Sequence, residues 1–330
     1  MGGAGYIGSV LVRRLLKQGY RVRVLDALLY NNAAALDSLI GGRGFSFQHG
    51  DFCRESDLNL AMEGITDVVH LAALVGDPVC RKYPDQARRI NETGTLEMID
   101  RLNQYEIGRF VFMSTCSNYG LRNSDSGATE ESELNPQSLY AETKVRVERH
   151  ILNDPSEFHF CATVLRAATA YGLSPRMRFD LTVNEFTRDL ALGKELLVYD
   201  ADTWRPYCHV EDISSAILCV LEADDSRIRG EVFNVGTSPE NYTKRMIVDL
   251  IRTVLSNARV RYQTGSVDPR NYKVSFEKIA TRLNFRGIST VAQFVPEVIE
   301  AVSRGQFDQV DAAPSFYTNL APISFPHNIL

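Results

Sequence analysis

The sequence has few cysteines and does not group them. Cys53, Cys80, Cys116, Cys161, Cys208 and Cys219 are scattered through 330 residues without a CxxC pair. That argues against a disulfide framework or a thiolate zinc site and predicts reduced thiols in a cytoplasmic protein. Six histidines stand without an HExxH or other ligand spacing, so no metal is expected. There is no basic tract and the net charge is -5, which gives nucleic acid no footprint. No apolar run approaches a membrane span, and the first residues lack the charged and apolar regions of a signal peptide. No repeat or low-complexity linker divides the chain, so any second lobe is expected to interleave with the first.

What is present is an alternation of periods. Residues 9–19 repeat apolar side chains every three or four positions, as a helix does, and Gly19 stops them. Residues 20–26, 45–51 and 66–73 read as strands, with a short helix over 56–64. Helices are expected over 91–105 and 140–154, and strands over 109–115 and 158–167. Strands alternating with helices define an α/β protein with a doubly wound parallel sheet. Such sheets bind ligands at the carboxyl ends of their strands. Past Tyr171 the rhythm loosens into helices over 179–193 and 242–256 and short strands over 195–200 and 231–236. The last stretch has prolines and aromatics without a period. It reads as an extended tail over 306–330, lying on the surface or on a partner.

The chain opens on MGGAGYIGS, in which Gly2, Gly5 and Gly8 lead into the first helix. Glycines so spaced allow a tight turn, close backbone approach to a pyrophosphate and close helix–sheet packing. Asp26 ends the next strand eighteen residues after Gly8, where a carboxylate would accept from an adenosine ribose hydroxyl. It would repel a 2'-phosphate, and Ala27 and Leu28 supply no cation to hold one, so NAD is favoured over NADP. The plainer reading of Asp26 is a turn residue. Asp51, followed by Phe52, closes the third strand, where an acid can accept from an adenine amino group or simply serve a turn. The glycine turn should follow the first, central strand of the sheet, which this chain lacks. Lost pairing there is costly. The expectation is a longer natural N-terminus, a start-site artefact at Met1, or a sheet completed by another chain.

Tyr140 and Lys144 lie one helical turn apart and so on one face. The preceding strand ends in MSTCS, which brings Ser114, Thr115 and Ser117 to a strand's carboxyl end. A tyrosine is a base near neutral pH only if its pKa falls well below about 10. A neighbouring ammonium and a positive nicotinamide ring both favour the phenolate. Thr115 can share the substrate hydroxyl. The three suit proton removal from a sugar alcohol. Arg205 and Arg270 sit in polar, loop-like contexts, where a guanidinium fork either meets phosphate oxygens or is simply solvated. His70 reads as a packed strand residue, His209 as a core or hydrogen-bonding one, and Cys116 as a small buried group.

With these segments the chain resembles an extended short-chain dehydrogenase/reductase of the NAD-dependent nucleotide-sugar epimerase/dehydratase family. The segments GGAGYIGS, VVHLAA, INETGT, FVFMSTCSNYG, YAETK, VLRAATAYG, RPYCHVEDI and FNVG carry the resemblance over most of residues 1–236. YGLSPRMRFDLTVNEFT, with AALVGDP, is similar to the subgroup that oxidises C4 of GDP-heptoses for bacterial surface polysaccharides. The resemblance implies a Rossmann-type NAD-binding domain over 1–170 and a smaller interleaved C-terminal α/β substrate lobe over 171–305, with 209–236 returning to the first. It implies NAD as cofactor, a nucleotide-diphosphate sugar as substrate, and a homodimer. Tyr6 and Ile7 would lie against the pyrophosphate. Leu71, Ala72 and Ala73 would line the nicotinamide ribose, with Asn91 supporting the site and Ala168 facing the nicotinamide. Thr115, Tyr140 and Lys144 match the catalytic group. Ser117, Thr169, Arg176, Arg178, Arg205 and Arg270 are the substrate-side residues, the last two matching the diphosphate pair.

Two departures bear on the reaction. Family dehydratases place an Asp–Glu pair where this chain has Cys116 and Ser117, which disfavours a 4,6-dehydratase. Epimerases usually carry Asn where Thr169 stands, so the sugar pocket differs. The expectation is C4 oxidation through a 4-keto sugar, as a 4-epimerase or a net dehydrogenase. The alternative is a non-catalytic NAD-binding sensor or scaffold on the same fold.

Overall fold

The computed structural model describes residues 1–122, 127–265, 270–323 and 325. In chain order its strands are β1 (Val22–Asp26), β2 (Phe45–His49), β3 (Asp67–His70), β4 (Arg109–Thr115), β5 (Cys161–Ala167), β6 (Thr169–Tyr171), β7 (Leu196–Tyr199), β8 (Trp204–His209), β9 (Glu231–Val235), β10 (Asn241–Thr243) and β11 (Val260–Gln263). The helices that matter here are α1 (Tyr6–Lys17), α2 (Glu55–Met62), α3 (Gly94–Leu102), α4 (Leu139–Asn153), α5 (Thr182–Ala191), α6 (Val210–Glu222), α7 (Lys244–Arg252) and α8 (Val291–Ser303). Among the described residues no helix is long and apolar enough to cross a membrane.

The central sheet is parallel, in the order β3-β4-β5-β9, with β1 and β2 paired in parallel beside it. Strands covered by helices on both faces must be apolar on both, and β5 is buried at every position. Alternation divides the core in two. Val111, Met113 and Leu165 pack with Leu11 and Leu15 of α1 and Ile213 and Ile217 of α6. Phe110, Phe112 and Val164 face the other way, onto Met98 and Ile99 of α3 and Val147 and Ile151 of α4. The α/β class and the parallel sheet expected from the sequence are both present.

A second cleft, of 570 Å³, is lined by Val22, Val24, Val68, Leu11 and Leu15. Its upper end is bridged by the start of the chain. Gly2 N donates to Leu25 O at 2.9 Å, Met1 N to Val69 O at 2.9 Å, and Leu71 N to Met1 O at 3.0 Å.

Beyond β5 the chain builds a second cluster around α5, α7 and α8, with Val183, Phe186, Ile247 and Phe294 at its centre. The short sheet β6-β8-β10 connects this cluster to the main one. Thr290 and Gln293 form a capping box that starts α8, a device worth roughly 1 kcal/mol. The tail differs from the extended surface segment expected. It contains a short helix, Pro314–Tyr317, and buries Asn319, Ala321 and Ile323. Polar partners on both lobes hold it down, a signal that no periodicity in the tail could carry. The tail positions 324 and 326–330 lie outside the described residues.

Candidate active site

One cleft of 480 Å³ runs along the carboxyl ends of the strands. Gly2, Gly5 and Gly8 form its floor. Gly2 has φ +79°, and a Cβ there would sit 2.6 Å from Ala72 N. A Cβ on Gly8 would overlap the Gly2 carbonyl oxygen. The turn therefore excludes side chains and leaves the N-terminus of α1 bare, where free N–H groups and the helix dipole favour an anion. Asp26 holds this turn: Oδ2 accepts from Ala4 N and Oδ1 from Leu28 N, both at 2.9 Å. Burial pushes its pKa up, against those two bonds. Asp51, Phe52, Leu71, Ala72, Ala73 and Ala168 complete this half of the wall.

Three residues sit differently from their expectation. The Tyr6 hydroxyl turns away from the turn, donating to Gly172 O at 2.6 Å and accepting from Asn184 Nδ2 at 3.0 Å. Its backbone and that of Ile7 remain at the turn, and both residues line the cleft. Asn91 lies behind the wall rather than on it. Its side chain pairs with the main chain of Leu74, accepting from N at 2.8 Å and donating to O at 2.9 Å. Asn91 thus fixes the loop that follows β3.

The third is Tyr140. Thr115 ends β4, and its Oγ1 accepts from Ser117 N at 3.1 Å. Ser138 caps α4, which places Tyr140 and Lys144 on the face that lines the same cleft. Lys144 Nζ donates to Met113 O at 2.9 Å and lies 4.6 Å over the Phe112 ring. Burial lowers its pKa to about 8. Burial also raises the Tyr140 phenol, with Cys80 and Asp77 adding to the rise and Arg178 and Arg270 opposing it. The chain alone thus keeps the phenol protonated. Burial outweighs the lowering that neighbouring cations supply.

The cleft is also lined by arginines. Arg270 donates from Nη1 to Ser117 Oγ at 3.0 Å and pairs through Nη2 with Asp77 at 3.0 Å. Arg205, buried, donates to Trp204 O at 2.7 Å and packs on the Tyr272 ring at 5.4 Å. Arg178 is bidentate to Asp180, at 3.0 and 2.7 Å, and Arg176 lies 4.8 Å over the Tyr30 ring. Thr169 stands at the start of β6, and it and these four arginines all line the cleft.

Sequence reasoning missed several residues here. Asp77, Tyr30, Asp180 and Asn319 line the cleft; the first and third lie within AALVGDP and YGLSPRMRFDLTVNEFT without a role of their own there, and Tyr30 and Asn319 belong to no motif. Beneath Thr115, Glu148 accepts from Ser114 Oγ, from Asn118 Nδ2 at 2.7 Å and from Arg166 Nη2 at 2.7 Å, all in the core. A signal for Glu148 existed, since it extends the Tyr140–Lys144 stripe by one further turn of the helix. Cys116 is buried, its thiol pushed up by that burial. Burial also keeps the His70 and His209 rings neutral by lowering their pKa.

A parallel sheet with a glycine turn on one side of its cleft and a Tyr/Lys helix beside it defines a dinucleotide-binding α/β enzyme fold. The NAD dependent epimerase/dehydratase family matches residues 1–236, and the chain belongs to that family. It is 33% identical over 281 residues to a UDP-glucose 4-epimerase of Yersinia enterocolitica, covering 78% of this chain and 82% of the other. It is 30% identical to a dTDP-glucose 4,6-dehydratase of an Actinoplanes species, covering 86% and 91%. Among solved structures, the dTDP-glucose 4,6-dehydratase DesIV of Streptomyces venezuelae, with NAD bound, superposes with a TM-score of 0.82 at 26% identity, covering 92% and 96%. The family is NAD-dependent, and the side-chain-free turn at Gly2 and Gly8 fits the group.

Proposed function

We propose that the protein oxidises the C4 hydroxyl of a nucleotide-diphosphate sugar to a ketone, as a 4-epimerase or a net dehydrogenase. One observation carries this reading: Thr115, Tyr140 and Lys144 line one cleft together with the glycine turn and with Arg205 and Arg270. In this reading residues 1–170 and 209–236 form the dinucleotide unit, 171–305 the sugar-nucleotide lobe, and two copies form a homodimer.

Bound NAD supplies the oxidant. Gly2, Gly5, Gly8 and the α1 N-terminus hold its diphosphate, and Asp26 its adenosine ribose. Arg205 and Arg270 grip the substrate diphosphate as planar forks. The Thr115 hydroxyl and the Tyr140 phenol oxygen bind the C4 hydroxyl, and Tyr140 Oη takes its proton as the ketone forms. Arg178 and Arg270 favour the phenolate, as does the positive charge that bound oxidised dinucleotide brings. Lys144, released from Met113, donates to the nicotinamide ribose.

Dehydratases are among the relatives, yet the residues after Thr115 oppose that outcome. Cys116 is a buried neutral thiol that donates to Arg166 O at 3.2 Å, and Ser117 is held by Arg270. Neither is an acid–base pair for loss of water. The test supplies the NAD-loaded protein with UDP-, dTDP-, GDP- and CDP-hexoses and heptoses and weighs each sugar after reaction. An isobaric product means epimerase, and a sugar two mass units lighter means dehydrogenase. A sugar lighter by one water overturns the reading, and so does no change across the panel.

A further inference from the structure

The tail lies across the open side of the cleft and is tied to both of its banks. On the second-lobe bank, Phe179 N donates to Tyr317 O at 2.8 Å, Arg176 Nη2 to Ser315 O at 3.4 Å, and Asn319 N to Asp180 Oδ2 at 3.2 Å. On the bank after β3, Asn319 Nδ2 donates to Val75 O at 3.2 Å. Farther along that bank, Ile323 N donates to Tyr83 Oη at 3.2 Å, and Phe325 meets the Tyr83 ring edge-on at 5.2 Å. Five polar tethers on main-chain or buried groups make this segment a strap.

Asn319 is where the strap meets the cleft. It is 3% exposed and part of the lining. The Val75 carbonyl fixes Nδ2 as the donor, so Oδ1 is the acceptor, and Oδ1 is buried without a partner. Burying an unpaired carbonyl costs about 1–3 kcal/mol, a loss that a ligand's donor would recover. Two further lining atoms, Tyr30 Oη and Arg176 Nε, are also buried and unpartnered. An acceptor and two donors left open in one cleft match a polyhydroxyl ligand, whose hydroxyls both give and receive.

We propose that the strap, residues 315–323, completes the binding site. Asn319 Oδ1 accepts a hydrogen bond from a ligand hydroxyl, either on a ribose of the dinucleotide or on the sugar of the substrate. The sugar arm rests on the reading of function above, and the ribose arm does not. Asn319 is in this sense a ligand-binding residue, and closing the strap over the ligand excludes water from it.

The experiment uses the full chain, as wild type and as Asn319→Leu, which keeps the volume and removes the acceptor. Calorimetry first titrates NAD alone, then UDP-, dTDP- and GDP-hexoses into NAD-saturated protein. The melting temperature without ligand separates loss of fold from loss of contact. Asn319→Leu should weaken one of the two ligand classes about five- to thirty-fold, as the loss of one buried hydrogen bond does. Weaker NAD identifies the ribose and weaker nucleotide hexose the sugar. Equal affinity of both proteins for every ligand overturns the proposal. If wild type binds NAD and no nucleotide hexose, the functional reading fails while the NAD titration still decides the role of Asn319. Should Asn319→Leu not fold, Tyr83→Phe replaces it, freeing Ile323 from outside the cleft. It should weaken the same ligand about two- to fivefold, and unchanged affinity again overturns the proposal.

Discussion

The two banks of the cleft are built by different means. The dinucleotide side is mostly backbone: a glycine turn, a bare helix end and strand tips, with Asp26 also holding the turn in shape. In the proposed reading the sugar side is side chains, and its cations are already engaged by neighbours, Arg270 by Asp77 and Ser117 and Arg205 by Trp204. A backbone site is rigid and recognises a constant group. A site of paired long side chains can exchange one partner for a ligand, and small changes in sequence retune it. The difference explains how one family carries a constant cofactor and varied sugar nucleotides.

That contrast can be tested where the banks meet and then on each alone. Tyr140→Phe should lower the rate of sugar turnover by roughly 10²- to 10⁴-fold while calorimetry finds NAD and sugar affinities nearly unchanged. Glu148→Ala strands Arg166 in the core and should cost about 3–5 kcal/mol of stability, read by urea unfolding. On the dinucleotide bank, Gly8→Ala should cut NAD affinity by at least about tenfold through the overlap with Gly2 O. Arg205→Ala should weaken nucleotide-sugar binding about tenfold, one charge-assisted bond's worth, and leave NAD alone. A change in NAD affinity of similar size in Arg205→Ala would break the division between banks.

A pH-dependent effect concerns Lys144. Its folded pKa is lowered to about 8 by burial, against about 10.4 in an unfolded chain. Between those values the unfolded state holds a proton that the folded state has released, so stability contributed by this group rises with pH across that window. Lys144→Met, which has no such group, should lose ground to wild type as pH climbs from 8 to 10. Parallel melting curves of the two proteins over that range would contradict the assignment.

Legibility followed the same division. The glycine turn, Asp26 and the Tyr140–Lys144 pair are local patterns, fixed by the spacing of residues near one another in the chain. The rest of the cleft lining, with Asp77, Thr169, Arg178, Arg205, Arg270 and Asn319, is brought together only by tertiary packing. Asn91 was read for the right neighbourhood, but its place behind Leu74 depends on a loop that sequence does not show. The raised phenol of Tyr140 was illegible for the same reason, since burial and the positions of Asp77 and Arg178 are properties of the fold. The tail carried no period because its tethers are single bonds to distant residues rather than an apolar face.

The central claim is that the chain removes hydrogen from C4 of a bound nucleotide sugar beside Tyr140. The most direct measurement gives the NAD-loaded protein a C4-deuterated sugar nucleotide from the panel, stops the reaction within one turnover, and weighs the extracted dinucleotide. The account predicts reduced dinucleotide carrying the sugar's deuterium. Sugar conversion with no reduced dinucleotide at any point within the turnover, and at a rate that C4 deuteration leaves unchanged, would contradict it.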